Sequence, residues 1–184
     1  MERFREQAGR RASGRVLDIG ARRISELPAY QHLSHLALVG AGAEVREASL
    51  PLPAERTDAD PEDLPFPDRS FDVVVCRFAL LRAANPVRAA SEIARVLRRT
   101  GQLLFLDVVA GPRQVDVLTH FRLSGLITHD VNWSRPRGHP RSPLVQGVAT
   151  HPVPQYAREF AWLLGTTRGG EHDDAESSGL QENA

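Results

Sequence analysis

Residues 71–109 read FDVVVCRFALLRAANPVRAASEIARVLRRTGQLLFLDVV. The stretch opens on Phe71 to Cys76, rich in β-branched residues and nearly unbroken in its apolar character. Such runs mark strands covered on both faces, as in parallel sheets. A helix signal follows: Asn85 is placed to cap it, Pro86 takes the first helical position and Gly101 follows its end. Val87, Ala90, Ile93, Val96 and Leu97 fall on one stripe, and Arg95, Arg98 and Arg99 suit the negative end of the helix dipole. Leu103 to Val109 is a second buried strand. Strand, helix and strand in this order form the unit of a parallel sheet.

Upstream, Val16 to Gly20 reads as a short buried strand, and Ile24 to Leu33 as a helix that Pro28 disturbs. Leu36 to Val39 is another strand, stopped by Gly40 and Gly42. From Ala43 to Arg69 proline and acids dominate, and any strand there is weak. Downstream, a helix runs from about Gln114 to Ser124, and Leu126 to Trp133 alternates, with Ile127, His129, Val131 and Trp133 on one face. Leu144 to Thr150 is the last strand, and Gln155 to Leu164 a final helix. The loop between the last two strands is too short for a helical crossover, which makes them antiparallel neighbours. The expectation is an α/β fold, doubly wound, with a mostly parallel sheet and an antiparallel last strand. One domain over 15–164 is flanked by a polar lead-in, 1–14, and an acidic tail, 165–184, expected to be disordered.

Composition narrows the function. The net charge is zero, so no electrostatic argument favours nucleic acid. Every Lys/Arg position holds arginine, which excludes a Schiff-base lysine and a P-loop lysine. The single cysteine, Cys76, leaves no internal disulfide, and no His/Cys/Asp cluster has metal-ligand spacing, so no metal is expected. No apolar stretch approaches a membrane span and the N-terminus lacks a secretory core, so a cytoplasmic location is expected.

Three segments together carry a family resemblance: VLDIG (16–20), DADPEDLPFPDRSFDVVVCRFALL (58–81) and NPVRAASEIARVLRRTGQLLFLDVV (85–109). They resemble the ubiquinone/menaquinone-biosynthesis (type 11) branch of the class I S-adenosylmethionine (SAM)-dependent methyltransferases. The resemblance covers roughly residues 15–110 and implies a seven-stranded sheet. It also implies that Asp18 and Gly20 position the methionyl part of SAM, that Asp60 takes the adenine amino group, and that Cys76 borders the cofactor. The family pattern resembles D-x-G-x-G-x-G after the first strand, but Arg22 and Ile24 stand at the later glycine positions. An arginine there fills space and adds charge beside the sulfonium. The family's ribose-binding acid at the end of the second strand is also missing: Gly40-Ala41-Gly42-Ala43 stands there and Glu44 comes late. SAM binding is therefore expected to be weak or absent.

Two classes of function follow, beside a third in which the old SAM pocket is reused for another ligand. One is a pseudo-methyltransferase serving as an accessory or partner-binding subunit. The alternative is an active methyltransferase on a small molecule, using a divergent SAM loop. No catalytic residue is assigned. His120, His129 and Asp107 are candidate bases or pocket groups, each weighed against a structural role. Arg22 and Arg23 read as solvated loop arginines or as an anion site at the strand mouth. Arg135, Arg137, His139 and Arg141 read as a solvated loop or a contact for an acidic partner or a phosphate. Tyr156, Phe160 and Trp162 read as docking the last helix or as an interface. Partners are a small molecule or a protein, with neither nucleic acid nor membrane.

Overall fold

A computed structural model describes residues 1–50, 53–108, 117–135 and 143–152. Helix α1, Glu2–Arg11, leads into β1, Ser13–Ile19. The lead-in read as polar turns Phe4, Ala8 and Ala12 inward, all buried against the sheet. There follow β2 (His32–Val39), α2 (Ala43–Glu47), β3 (Ala54–Thr57), β4 (Phe71–Arg77), α3 (Ala79–Arg82) and α4 (Pro86–Val96). The chain continues with β5 (Leu97–Val108), α5 (Val117–Leu123), β6 (Ile127–Ser134) and β7 (Leu144–Thr150).

The seven strands lie in the order β3-β2-β1-β4-β5-β7-β6. Neighbours from β3 to β5 pair in parallel, and β7 runs antiparallel to both β5 and β6. The sheet is the mostly parallel α/β sheet expected, with its antiparallel strand in place. Two apolar layers cover it. Leu17, Ile19, Val74, Cys76, Leu103 and Phe105 pack with α4 and α5 on one face. Val16, Leu36, Val73, Val75 and Leu104 pack with α1 on the other. Strand order reverses between β1 and β4, and in open α/β sheets the crevice outside the carboxyl ends at such a reversal is where ligands bind.

Three elements depart from the sequence reading. No helix spans 24–33: the crossover from β1 to β2 holds one 3-10 turn, Ile24–Glu26, and β2 starts at His32. Pro28 removes a helical donor, and the Tyr30 N–H bonds the Pro28 carbonyl at 2.9 Å instead. Helix α4 stops at Val96, so Arg98 and Arg99 belong to β5 rather than to a helix end, and Arg98 pairs with Asp72. Its capping is as read, with the Asn85 side chain accepting from the Arg88 N–H at 3.1 Å, but Val87 lies outside the buried stripe. In β6 the register shifts between His129 and Asn132, where Asp130 has φ 53°. This bulge breaks the alternation, and Ile127, His129 and Trp133 are exposed.

Candidate functional site

The crevice at the carboxyl ends of β1, β2 and β4 is built around Asp18. Its carboxylate is 0% exposed and takes two donors. Arg77 Nη2 donates to Oδ1, and the Tyr30 hydroxyl donates to Oδ2 at 2.5 Å. Arg77 is 2% exposed, so the pair is a buried ion pair. Burial disfavours the guanidinium's charge, yet the Asp18 carboxylate beside it outweighs this and holds the Arg77 pKa above its ordinary value. The Tyr30 pKa is pushed well up, first by burial and then by the Asp18 charge. Two further Arg77 donors, Nε and Nη1, are buried with no partner among the described residues.

The sequence reading missed Arg77 and Tyr30. Arg77 had a signal: a charged residue closing an unbroken apolar run, with Phe78 directly after it. Tyr30 had none, because it lies in the segment misread as a helix.

Gly20 has φ 88°, and a Cβ there would collide with the Arg77 carbonyl oxygen. Its N–H donates to the Val39 carbonyl at 3.0 Å. The loops after β1 and β2 then meet backbone to backbone. The Gly42 N–H donates to the Ala21 carbonyl at 2.9 Å, and a Cβ on Gly42 would strike the Arg22 carbonyl. Glu44 Oε1 accepts from the Ile24 N–H at 3.2 Å, and Glu26 Oε2 from the Arg22 N–H at 2.8 Å. The side chains of Arg22 and Ile24 are exposed. The arginine expected to fill space therefore points outward, and it is the backbone that fills the space between the loops.

Asp60 is exposed, and its Oδ1 accepts from the Glu62 N–H at 2.9 Å, closing its own turn. The segment that follows is strapped to α4. Arg95 donates to the carbonyls of Leu64 at 2.9 Å and Phe66 at 2.8 Å while pairing with Glu92 and Asp68. Glu92 in turn accepts from the Leu64 N–H at 2.9 Å. Cys76 is 1% exposed; burial, then the nearby Asp107 carboxylate, pushes its thiol far up, so it is no nucleophile at neutral pH. Asp107, at the carboxyl end of β5, is buried, and burial pushes its pKa up to about 6. Its Oδ1 accepts from the Val108 N–H at 2.7 Å, and the backbone N–H groups of Leu80 and Leu81 in α3 also favour the carboxylate.

The other candidates do not converge on this crevice. His129 lies on edge strand β6, with three strands between it and β1, and its Nε2 is 3.3 Å from Thr150 Oγ1. His120 sits on α5. Arg23 and Arg135 are exposed. Arg137, His139, Arg141, Tyr156, Phe160 and Trp162 lie outside the described residues. Among the described residues no three metal-ligating side chains come together, and no helix is long and apolar enough to cross a membrane.

Sheet order 3-2-1-4-5-7-6, with an acid-glycine turn at the β1/β4 reversal, defines a domain of the class I methyltransferase type. Residues 17–105 match the model of a methyltransferase domain family, type 11. Over 102 residues it is 35% identical to a phosphatidylethanolamine N-methyltransferase of Cereibacter sphaeroides, covering 51% of this chain and 50% of the relative. Over 105 residues it is 34% identical to YcgJ, an uncharacterized methyltransferase of Bacillus subtilis, covering 53% of this chain and 42% of the relative. The chain thus spans about half the length of these curated relatives. Among solved structures, the [4+2]-cyclase SpnF superposes with a TM-score of 0.65 at 18% identity, over 82% of this chain and 79% of that one. That likeness is one of fold.

Proposed function

We propose that this chain is a pseudo-methyltransferase: it keeps the methyltransferase fold, has lost SAM, and serves as an accessory or partner-binding subunit. The observation that carries the reading is the Asp18 carboxylate, which is buried and fully engaged by Arg77 and Tyr30. A group that must orient an incoming amino group needs a free acceptor facing the ligand. Here both oxygens already hold charge-assisted or short bonds, which would have to break first.

The rest of the crevice fits SAM poorly for the same kind of reason. Glu44, the nearest replacement for the ribose acid, is occupied by the Ile24 N–H. The space between the β1 and β2 loops is closed by the Gly42 contact with Ala21 and Arg22. A sulfonium cation would also enter beside the buried Arg77, with the Arg82 guanidinium reaching back over Gly20. Like charges in a poorly solvated site repel. Were SAM bound, Asp18, Gly20, Asp60 and Cys76 would be the residues around it.

A second reading, an active methyltransferase on a small molecule, has one observation in its favour. The 60–66 segment stays ordered against α4, with Asp60 exposed at the crevice side of β3. The fold itself is not confined to methyl transfer, since one neighbour is named a cyclase. Thermal unfolding with and without about 1 mM SAM or S-adenosylhomocysteine separates the two readings, because a ligand that binds only the folded state raises the melting temperature. No rise is expected, and a rise of several degrees would overturn the pseudo-methyltransferase reading.

A further inference from the structure

The large exposed apolar side chains gather on one side of the sheet. Seven are exposed among the described residues, and four of them, Leu81, Val87, Leu123 and Trp133, belong to the side that α3, α4 and α5 cover. Val87 and Leu123 are neighbours: Ser91 Oγ donates to the Val87 carbonyl at 2.9 Å and lies 3.3 Å from Oγ of Ser124, the residue after Leu123. Trp133, 54% exposed, pairs with Val145, which packs in the apolar layer under these helices, so the indole stands on the same side. The charges there have one sign. Arg82, Arg88 and Arg122 are the exposed charged residues of α3, α4 and α5 among the described residues. Glu92, the acid of these helices, is partly buried and paired with Arg95. In the loop before β4, Glu62 accepts from the Asn85 N–H and Asp68 pairs with Arg95, so both are held along α4. Just after Trp133 the sequence reads RPRGHPR (135–141), and no acid occurs from 131 to 158.

We propose that this helical side is a peripheral docking surface for an anionic phospholipid bilayer. Arginines attract headgroup phosphates, and separate apolar side chains standing between them enter the boundary below the headgroups. An indole suits that boundary, because its body is apolar and its N–H stays wet. The apolar groups here project from helix surfaces rather than line a groove, and a fluid surface takes them without the matching shape a protein partner must supply. The expectation of no membrane contact rested on the lack of a spanning segment, and a contact of this kind needs none. With a net charge of zero, the whole chain has no general attraction for anionic lipid, so adsorption has to come from a local patch. The proposal goes beyond the reading of the crevice and stands whether or not SAM binds.

The test floats the full chain with phosphatidylcholine vesicles that contain about 30 mol% phosphatidylglycerol, or none. Flotation with the anionic vesicles is expected to exceed that with the neutral ones at least about fivefold at about 0.1 M salt, and to fall at least about fivefold at about 0.5 M. Tryptophan emission should shift to shorter wavelength on binding, a shift lost in Trp133→Phe and kept in Trp162→Phe. Arg122→Gln with Leu123→Ser changes two exposed side chains of α5. It should lower flotation at least about fivefold with the melting temperature unchanged. Ile127→Ser is the control, because Ile127 and His129 alternate onto the opposite side of the sheet, where His129 pairs with Val148. It should float like the wild type. No flotation, equal flotation with neutral vesicles, an undiminished α5 variant, or an equal loss in Ile127→Ser would each overturn the proposal. So would binding of a poly-aspartate peptide without flotation, which would assign the patch to an acidic protein. None of the altered residues lies at the crevice, so a failure here is separate from any result with SAM.

Discussion

Arg77, the last residue of β4, folds its guanidinium back onto Asp18 in the middle of the sheet, and both side chains are almost wholly removed from water. A buried ion pair adds little net stability, but breaking it from one side leaves a charge stranded. Arg77→Met is therefore expected to cost about 3–5 kcal/mol in denaturant unfolding. Adding Asp18→Asn to that variant removes the stranded carboxylate and should return part of the loss, a coupling that a double-mutant cycle reads directly. Simple additivity of the two changes would contradict the pairing. Tyr30→Phe should cost roughly 1.5–3 kcal/mol by removing the bond to Oδ2.

Asp107 gives the protein a pH dependence of known sign. Its folded pKa is up at about 6 because burial disfavours the carboxylate. In the unfolded chain the group titrates near its ordinary value of about 4. Between these values the folded state holds a proton that the unfolded state has released. The resulting stability is present in full below about pH 4 and is lost as the pH rises through about 6. Asp107→Asn keeps an acceptor for the Val108 N–H without the charge. It should stabilise the protein by on the order of 2 kcal/mol at about pH 7.5, a gain that shrinks to nothing near about pH 4. A variant whose advantage is the same at both ends of that range would refute the assignment.

Arg95 joins α4 to the loop before β4 through the Leu64 and Phe66 carbonyls, Glu92 and Asp68. Arg95→Ala should lower stability by roughly 2–4 kcal/mol, because two carbonyls and a half-buried carboxylate lose charged donors at once. Arg95→Lys should restore less than half of this, since one ammonium cannot reproduce the planar fork. Full rescue by lysine would show that charge alone matters there.

Much of this architecture was legible in residues 71–109, where an apolar run, a proline-capped helix and a second apolar run state a βαβ unit without help from distant contacts. The crossover from Gly20 to Gln31 was not, because apolar spacing there resembles a helix while Pro28 and side-chain bonds from Glu26 and Glu44 hold an irregular path. The bulge at Asp130 hid the faces of β6, since one added residue reverses the alternation. At the site, Asp18 and Gly20 could be placed from sequence by resemblance. What engages Asp18 could not, because Arg77 is 59 residues away and its role depends on parallel pairing of β1 with β4. The departure of Arg22 and Ile24 from the family's glycines was legible in the sequence, but the close backbone approach of this loop to Gly42 was not.

Calorimetric titration of the full chain with SAM measures most directly whether the Asp18–Arg77–Tyr30 cluster has replaced the cofactor. Displacing Arg77 and Tyr30 from Asp18 sacrifices bonds worth roughly 1.5–3 kcal/mol each, and about 1.4 kcal/mol is a factor of ten in affinity. The account predicts no saturable heat, or a dissociation constant above about 100 µM. Low-micromolar, stoichiometric binding of SAM to the wild-type chain would contradict it.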